Sequence, residues 1–373
     1  MKVAVVGAGV TGLSIAFNLA ERGADVVVFE RTRIAAEASG VQPGGVRQQW
    51  STRVNCRLAQ ESTRFYRDVA ARLEVPTAPV LEPCGYVFLA HSQERRDALA
   101  LDVALQNELG IASELLEPEA LEALLPGLDR SDVTGASYCG DDGYFDRPQA
   151  VVEAFGEAFR RRGGAIELAT VIALAPHGDR WVLELERGAA VEADAVVVAA
   201  GYDVPPLLAT VGLELPIAKE PKYLLLSEPI ADRLLEPLVV SVERHFAAKH
   251  LRNGRVLASD LAANGEPDRE ASAWRAHVKQ NIRRYVPVLE YVTFPIVVEG
   301  FYDVTPDPQP IVAAVERGLW VAAGFSGHGF MIAPAVGRIV AEAIVAARHD
   351  AALESFAYDR FASGGLVPER QIV

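Results

Sequence analysis

The chain has 373 residues, half of which are hydrophobic, and its formal net charge is −14. This length allows a large core and two domains, while the acidic balance argues against a nucleic-acid partner and against a polybasic membrane contact. We find no apolar run of the roughly 20 residues that span a bilayer, and we expect no signal peptide because a strand begins at residue 2 or 3. The scattered Cys56, Cys84 and Cys139 predict no metal site and indicate a reduced, cytoplasmic protein.

The first 30 residues predict a strand, a glycine-rich turn, a helix and a second strand in direct succession. The apolar run Val3–Val6 is typical of a buried strand, and it leads into the turn Gly7–Gly12. A helical pattern follows through residues 13–20, and a second strand, Asp25–Phe29, ends at Glu30. This order is the fingerprint of a dinucleotide-binding βαβ unit.

Each glycine of this turn has a separate physical task. Gly7 allows the tight turn, Gly9 lets the backbone approach a pyrophosphate, and Gly12 lets the helix pack close to the strand. Glu30 can accept hydrogen bonds from ribose hydroxyls, and its charge would repel a 2′-phosphate. The residues therefore predict FAD or NAD, and not NADP, bound at the helix N-terminus. The predicted contacts also include Val10, Thr11 and Arg31.

Further along the chain, helices and short strands do not alternate as a simple βαβ series. The patterns predict helices over 54–73, 93–109, 118–125, 148–162, 274–285 and 334–347. They predict strands over 86–89, 133–138, 143–145, 166–173, 180–185, 195–199, 223–227, 246–251, 255–257, 297–302 and 319–322. The proline-rich stretch 205–221 is expected to break helices.

A second glycine-rich segment, Gly324–Phe330, lies between a predicted strand and the last predicted helix. Backbone N–H groups at such a helix start would stabilise the negative charge of a reduced flavin near N1 and the C2 carbonyl. An NAD site needs no second helix end, so this segment favours FAD over NAD. The alternative is an ordinary glycine-rich helix cap.

Several motifs in chain order resemble the D-amino-acid oxidase superfamily of FAD enzymes, in its branch of glycine oxidase, sarcosine oxidase and the proline dehydrogenase β-subunit. These motifs are Gly7–Gly12 with Glu30, Ala38–Gln49, Val196–Gly201, Gly300–Asp307 and Gly324–Phe330. The resemblance implies an FAD enzyme that oxidises an amine at the carbon beside its nitrogen. It also implies further flavin contacts at Ser39, Gln42, Gly44, Gly45, Val46, Arg47, Val171, Ala200, Gly201, Gly327, His328, Gly329, Phe330 and Met331.

Together these observations predict an α/β fold, a Rossmann-like FAD-binding domain with an inserted substrate domain of mixed sheet plus helix. We expect the FAD-binding domain to comprise residues 1–80, 145–215 and 300–373. The substrate domain is expected to comprise residues 81–144 and 216–299.

Three residues are predicted to take part in catalysis: Arg47, His328 and Tyr302. Arg47 would stabilise the anionic ring, the alternative being a surface arginine paired with an acid. His328 is either a base or, as its glycine neighbours favour, a flavin contact. Val171 would clasp the adenine through its backbone, although a core valine is nearly as plausible there.

Departures from the family pattern shape the remaining expectations. Phe301 and Tyr302 stand where some relatives carry a cysteine, and no histidine lies near Arg47, so FAD is expected to be non-covalent. The family's carboxylate-anchoring positions correspond to Trp50, Tyr302 and Met331, none of them cationic. With Lys249, these three form the predicted substrate pocket. Other candidate anchors in the same region are Arg244, His245, His250 and Arg252.

Segment 253–258 has no lysine where sarcosine-type oxidases carry one that promotes oxygen reduction, which favours a dehydrogenase. The electron acceptor would be oxygen, a quinone or a partner subunit. Two alternatives stay open: an NAD-dependent dehydrogenase, and an electron-transferring β-subunit that is inactive alone. A homo- or hetero-oligomer is compatible with either.

Overall fold

The computed structural model describes residues 1–371. Over this range the chain forms ten α-helices: α1 (Val10–Glu21), α2 (Arg53–Arg67), α3 (Val69–Leu73), α4 (Gln93–Glu108), α5 (Pro148–Arg161), α6 (Val204–Ala209), α7 (Pro267–Tyr285), α8 (Gly329–Ala346), α9 (Ala351–Ser355) and α10 (Arg360–Ser363).

The same described range forms twenty strands, most of them short. They are β1 (Lys2–Val6), β2 (Asp25–Glu30), β3 (Gly45–Val46), β4 (Glu82–Pro83), β5 (Tyr86–Ala90), β6 (Ser113–Leu116), β7 (Gly135–Cys139), β8 (Gly143–Tyr144), β9 (Ala165–Leu168), β10 (Val171–His177), β11 (Arg180–Leu185), β12 (Val191–Ala193), β13 (Ala195–Val198), β14 (Ala218–Leu226), β15 (Leu238–Ser241), β16 (Phe246–His250), β17 (Val256–Asp260), β18 (Ile296–Val304), β19 (Ile311–Glu316) and β20 (Leu319–Ala323).

A six-stranded sheet with β1 near its centre carries the N-terminal fingerprint. Its order is β19-β20-β13-β1-β2-β9, and the strands are parallel except β19, which pairs antiparallel with β20. Helices α1, α5 and α8 cover one face, while the antiparallel sheet β10-β11-β12 packs on the other. Because both faces are buried, the central strands read as continuous apolar runs.

An eight-stranded mixed sheet lies beside this unit, in the order β18-β14-β17-β16-β15-β5-β7-β6. Its strands come from two separate segments, residues 86–139 and 218–304. Helix α7 covers one face through Trp274, Val278 and Ile282. The opposite face of β15, β16 and β17 looks onto a cavity. The two-segment origin agrees with the predicted inserted domain, whose boundaries stay a prediction.

The structure corrects several predicted elements. Pro205 and Pro206 do not break a helix; they begin α6, because proline fits the first helical turn, where its missing N–H is not needed. The predicted strand 166–173 is two strands, β9 and β10. Six strands are absent from the prediction: β3, β4, β6, β12, β15 and β19. The predicted helix 54–73 is interrupted at Asp68, and Pro118–Ala123 is a 3₁₀ turn.

Helix α8 is long and apolar enough to cross a membrane, with 18 residues and a mean hydropathy of 1.6. This length and composition depart from the expectation of no membrane-spanning segment. The helix packs against α1 and α2, and Gly337 allows the close approach, because a Cβ there would lie 2.2 Å from the Ser14 hydroxyl. A core helix therefore accounts for the same apolar composition.

Candidate functional site

A long cavity of about 240 Å³ runs along the carboxyl ends of the parallel strands, between the N-termini of α1 and α8. This edge of the sheet is where open α/β folds bind their ligands. Most of the predicted cofactor contacts line it: Gly7, Gly9, Val10, Thr11, Glu30, Arg31, Ser39, Gln42, Gly45, Val171, Ala200, Gly201, Gly327, Gly329, Phe330 and Met331.

The turn that precedes α1 is shaped by its glycines. Gly7 has a φ of +108°, and a Cβ there would lie 2.4 Å from the Ala199 carbonyl oxygen. At Gly12, a Cβ would lie 2.1 Å from the carbonyl oxygen of Gly7. Gly9 differs, because its extended backbone suits any residue and its Cβ would meet only Ser39 Oγ, at 3.1 Å. Gly7 and Gly12 thus maintain the fold, while Gly9 lines the cavity.

Polar side chains form hydrogen bonds at the end of the long cavity that lies beside the start of α1. Glu30 Oε2 accepts a hydrogen bond from the Ala8 N–H at 3.0 Å, and Oε1 accepts one from the Thr32 N–H at 2.9 Å. Ser39 Oγ accepts from the Val10 N–H at 3.0 Å, at the start of α1. The Glu30 carboxylate is therefore fixed at the end of β2, on the wall of the long cavity.

The second end of the cavity is built by the loop between β20 and α8. Gly327 has a φ of +90°, and a Cβ there would lie 2.2 Å from the Tyr302 ring, so the ring lies directly against this backbone. Asp303 Oδ2 accepts a hydrogen bond from the Gly324 N–H at 2.6 Å. Burial raises the pKa of Asp303 to about 6. The loop is thereby tied to the end of β18.

A smaller cavity of about 100 Å³ adjoins the long one, and Pro43, Tyr302, Gly327 and Met331 line both. Its wall brings together the predicted substrate residues Trp50, Tyr302, Met331 and Lys249. Arg47 and His328 also line it, and neither is among the residues that line the long cavity. Of the predicted catalytic residues, Tyr302 therefore lies where the two cavities join, while Arg47 and His328 belong to the wall of the smaller cavity.

Arg47 is 1% exposed, and its guanidinium carbon lies 3.6 Å from the centre of the Trp50 ring. It donates hydrogen bonds to the Gln49 carbonyl at 2.5 Å and to the Gln371 carbonyl. Among the residues that the structure describes, it forms no ion pair with an acid, so the surface interpretation is wrong. His328 packs on the other side of this cluster, with its ring 4.9 Å from that of Trp50.

Two groups that support Arg47 were not predicted. Asp142 is fully buried and accepts hydrogen bonds from the Gln48 N–H at 2.8 Å and from Gln49 Nε2 at 3.1 Å. Glu369 is also buried and accepts from the Ser51 N–H at 2.9 Å. These carboxylates hold the loop that carries Arg47 from two sides. Both acids are far from this loop in sequence, so no local pattern indicates them.

Some predicted residues lie outside the cavities. Gly12, Gly44 and Val46 are not lining residues and act through the backbone, Val46 by pairing with β8. The other candidate carboxylate anchors are engaged elsewhere. Arg244 pairs with Asp132 at 2.8 Å and Arg252 with Glu82 at 2.9 Å. His245 is exposed in a turn, and His250 Nδ1 accepts from the Leu234 N–H at 3.0 Å.

A model of the family described as FAD dependent oxidoreductase (DAO) matches residues 2–343. The chain belongs to this family. The predicted resemblance is confirmed, and FAD follows as the cofactor of this FAD-dependent oxidoreductase rather than NAD.

Curated relatives of this oxidoreductase cover most or all of its length. FAD-dependent oxidoreductase domain-containing protein 1 of Bos taurus is 29% identical, covering 100% of this chain and 87% of its own. Mitochondrial dimethylglycine dehydrogenase of Rattus norvegicus is 26% identical over 91% of this chain, but the match covers only 42% of that protein.

Solved structures confirm the predicted fold class. L-Proline dehydrogenase from P. horikoshii superposes with a TM-score of 0.88 and 26% identity, covering 97% of this chain and 98% of its own. Glycine oxidase from Geobacillus kaustophilus gives a TM-score of 0.84 and 26% identity, covering 96% and 98%. The oxidoreductase is therefore related to both amino-acid dehydrogenases and amino-acid oxidases.

Proposed function

We propose that the protein oxidises the C–N bond of an amine or amino acid, with a secondary or N-substituted amino acid favoured, using non-covalent FAD. The observation that carries this proposal is the junction of the two cavities, which Tyr302 and Met331 line on both sides while Arg47 lines the smaller cavity. FAD fits the long cavity, because its phosphates would lie on the N-terminus of α1 and its ring would meet that of α8.

FAD and the protein contribute different parts of the proposed reaction. FAD supplies the acceptor for the hydride that leaves the carbon beside the amine nitrogen. The protein orients the amine at the junction, excludes water with Trp50 and Met331, and stabilises negative charge through Arg47 and the start of α8. No side chain needs to move a proton if the amine binds in its neutral form.

Substrate screening tests the proposal. Purified protein is mixed anaerobically with proline, sarcosine, dimethylglycine and the corresponding primary amines, and flavin absorbance is followed. We expect bleaching of the oxidised flavin bands by at least one secondary or N-methylated amino acid. A flavin that no amine reduces, but that NADH reduces, would contradict the proposal.

We further propose a dehydrogenase. L-Proline dehydrogenase and dimethylglycine dehydrogenase support this, although glycine oxidase is a relative as well. The absence of a lysine from segment 253–258 is not an argument for a dehydrogenase. Lys249 on the neighbouring strand lies directly across from Leu257 and lines the same cavity, so a lysine is present in this region. Reoxidation of reduced protein by a quinone should therefore be faster than by oxygen. Faster reoxidation by oxygen would make the protein an oxidase.

FAD is expected to be released on denaturation. Cys56, Cys84 and Cys139 are not among the described residues that line either cavity, so a cysteinyl link has no donor there. After precipitation with acid and centrifugation, the yellow colour should be in the supernatant. A yellow pellet would point to attachment through another side chain.

Replacing Glu30 with alanine should weaken FAD binding by about 1–3 kcal/mol, the usual cost of losing a hydrogen bond to a charged acceptor. Part of that loss comes from the Ala8 N–H, which Glu30 now holds in place. Titration of the apoprotein with FAD measures the change. Glu30→Gln keeps an acceptor and should lose less. Equal FAD affinity in the wild type, Glu30→Ala and Glu30→Gln would show that Glu30 does not contact the ribose.

His328→Ala should slow flavin reduction several-fold without changing its pH dependence above about pH 5. Burial lowers the pKa of His328 to about 4, so the imidazole is already neutral in that range. The loss comes from the missing contact with Trp50. Anaerobic rapid mixing across pH provides the profile. An ionisation that disappears in the variant would identify His328 as an acid–base catalyst.

A further inference from the structure

The last residues that the structure describes return to the interior of the protein. Residues 362–368 are exposed, and they include the apolar side chain of Leu366, whereas Glu369 is 4% and Gln371 is 1% exposed. Polar side chains are therefore buried here while an apolar one stays in solvent, the reverse of the ordinary pattern. Burying polar groups is unfavourable unless they are hydrogen-bonded, so the contacts of this tail segment, residues 369–371, have to be specific.

Glu369 holds the start of α2. Its Oε1 accepts hydrogen bonds from the Ser51 N–H at 2.9 Å and the Ser51 hydroxyl at 2.5 Å, and its Oε2 accepts from the Thr52 hydroxyl and Asn55 Nδ2, each at 3.0 Å. The first turn of α2 has no acidic residue of its own, so Glu369 supplies the negative charge that a helix N-terminus favours. Burial opposes this charge, but the hydrogen bonds from Ser51 and Asn55 outweigh burial and lower the pKa of Glu369.

Gln371 reaches Arg47 directly. Its carbonyl accepts a hydrogen bond from the Arg47 guanidinium, and its N–H donates to Glu369 Oε1 at 2.9 Å. Its side chain is fixed by α4, because Oε1 accepts from Arg95 at 2.8 Å and Nε2 donates to Asp102 at 2.8 Å. The carbonyl that faces Arg47 is thereby held on both sides.

The tail segment supplies one of the two carbonyl acceptors of the Arg47 guanidinium. The other is the Gln49 carbonyl, at 2.5 Å. Arg47 Nε has no hydrogen-bond partner among the described residues, so the two carbonyls and the stacking on Trp50 fix the group. No residue of the tail segment is among the described residues that line either cavity. The segment therefore acts through Arg47 and not on a bound molecule.

We propose that the tail segment is a positioning element of the proposed active site, which holds Arg47 in the wall of the smaller cavity so that its charge acts on the flavin ring. Glu369 docks the segment on α2, and Gln371 presents the carbonyl. This inference deepens the proposed function and rests on the role given there to Arg47. Its consequence is that a residue 324 positions from Arg47 in sequence alters the electron affinity of the flavin.

The reduction potential of bound FAD tests this role without any substrate. Glu369→Gln keeps the shape of the side chain but turns one acceptor oxygen into a donor, so the segment should detach from α2. FAD-loaded protein is reduced anaerobically beside a reference dye. We expect the reduction equilibrium to shift about 3- to 10-fold toward oxidised flavin, less than in Arg47→Met, because Arg47 keeps the Gln49 carbonyl.

The sign of this shift separates positioning from a direct effect of charge. Loss of the Glu369 charge with Arg47 still in place would favour the anionic reduced ring and shift the equilibrium toward reduced flavin. Gln371→Ala removes the hydrogen bonds to Arg95 and Asp102 without removing a charge, and it should also shift the equilibrium toward oxidised flavin. In an Arg47→Met background neither substitution should do so, because the group that they position is gone.

Glu61→Gln is the matched control. Glu61 is another carboxylate that holds α2, through hydrogen bonds from Arg338 at 2.6 and 2.9 Å, and it is not among the described residues that line either cavity. This variant should lower the melting temperature and leave the reduction equilibrium unchanged. A shift equal to that of Glu369→Gln would overturn the proposal, because any loosening of α2 would then produce it.

Two further results would overturn the positioning role. One is an equilibrium that Glu369→Gln and Gln371→Ala leave unchanged or shift toward reduced flavin, and the other is a shift of the same size in the Arg47→Met background. The outcome is separable from the proposed function. If the shift depends on Arg47 but no amine reduces the flavin, the positioning role stands and the proposed reaction fails. If amines reduce the flavin and the tail variants leave the equilibrium unchanged, the reaction stands and the positioning role fails.

Discussion

A Gly9→Val protein should fold and contain no FAD. The extended backbone of Gly9, with φ −75° and ψ 177°, accepts a side chain without strain. The added atoms would enter the space beside Ser39 Oγ, which is 3.1 Å from the first of them, where the pyrophosphate is expected. We expect affinity for FAD to fall at least about 1,000-fold, equivalent to about 4 kcal/mol. Flavin absorbance per protein and FAD titration measure this.

Two further glycine substitutions serve as controls for Gly9→Val. Gly7→Val would place its Cβ 2.4 Å from the Ala199 carbonyl oxygen and should lower the melting temperature as well as FAD content. Gly9→Ala adds only one methyl group and should bind FAD with intermediate affinity. Circular dichroism of the apoproteins separates folding from binding. Full flavin occupancy in Gly9→Val would refute the assignment of this turn to the pyrophosphate.

The sequence predicted the parts of the site that depend on local backbone shape. Gly7, Gly9 and Gly12 are recognisable because a turn, a close approach and a tight packing each demand glycine at a fixed spacing. A second helix start was indicated for the same reason, by glycines between a strand and a helix, although the predicted helix begins at Pro334 and α8 begins at Gly329. Such features need no knowledge of distant contacts.

The sequence did not predict what depends on contacts between distant segments. Glu369 reaches Ser51 across 318 positions, and Asp142 reaches Gln48 across 94. Lys249 was one of five candidate anchors, because strand periodicity gives the face of a side chain but not the cavity it enters. Only the pairing of β16 with β17 places it opposite Leu257. The position of Lys249 therefore depends on the pairing of strands in the folded protein, which the sequence does not give.

Replacing Arg47 with methionine should lower the reduction potential of the bound flavin by about 30–60 mV. Arg47 is a buried positive charge in the wall of the smaller cavity, and it forms no ion pair with the acids that the structure describes. Such a charge favours the anionic reduced ring, and an interaction of about 1.5–3 kcal/mol corresponds to that potential for a two-electron couple. Equilibration with a reference dye during anaerobic reduction measures it.

Controls for this variant address charge and folding separately. Arg47→Lys keeps the positive charge and loses the stacking on Trp50, so its potential should stay near that of the wild type while its melting temperature falls. Arg47→Met leaves the Gln49 and Gln371 carbonyls without this donor, at a cost of about 1–3 kcal/mol each in stability. If the methionine variant folds and its potential equals that of the wild type, the guanidinium does not act on the ring. Its role would then be confined to holding Trp50 and the neighbouring loop in place.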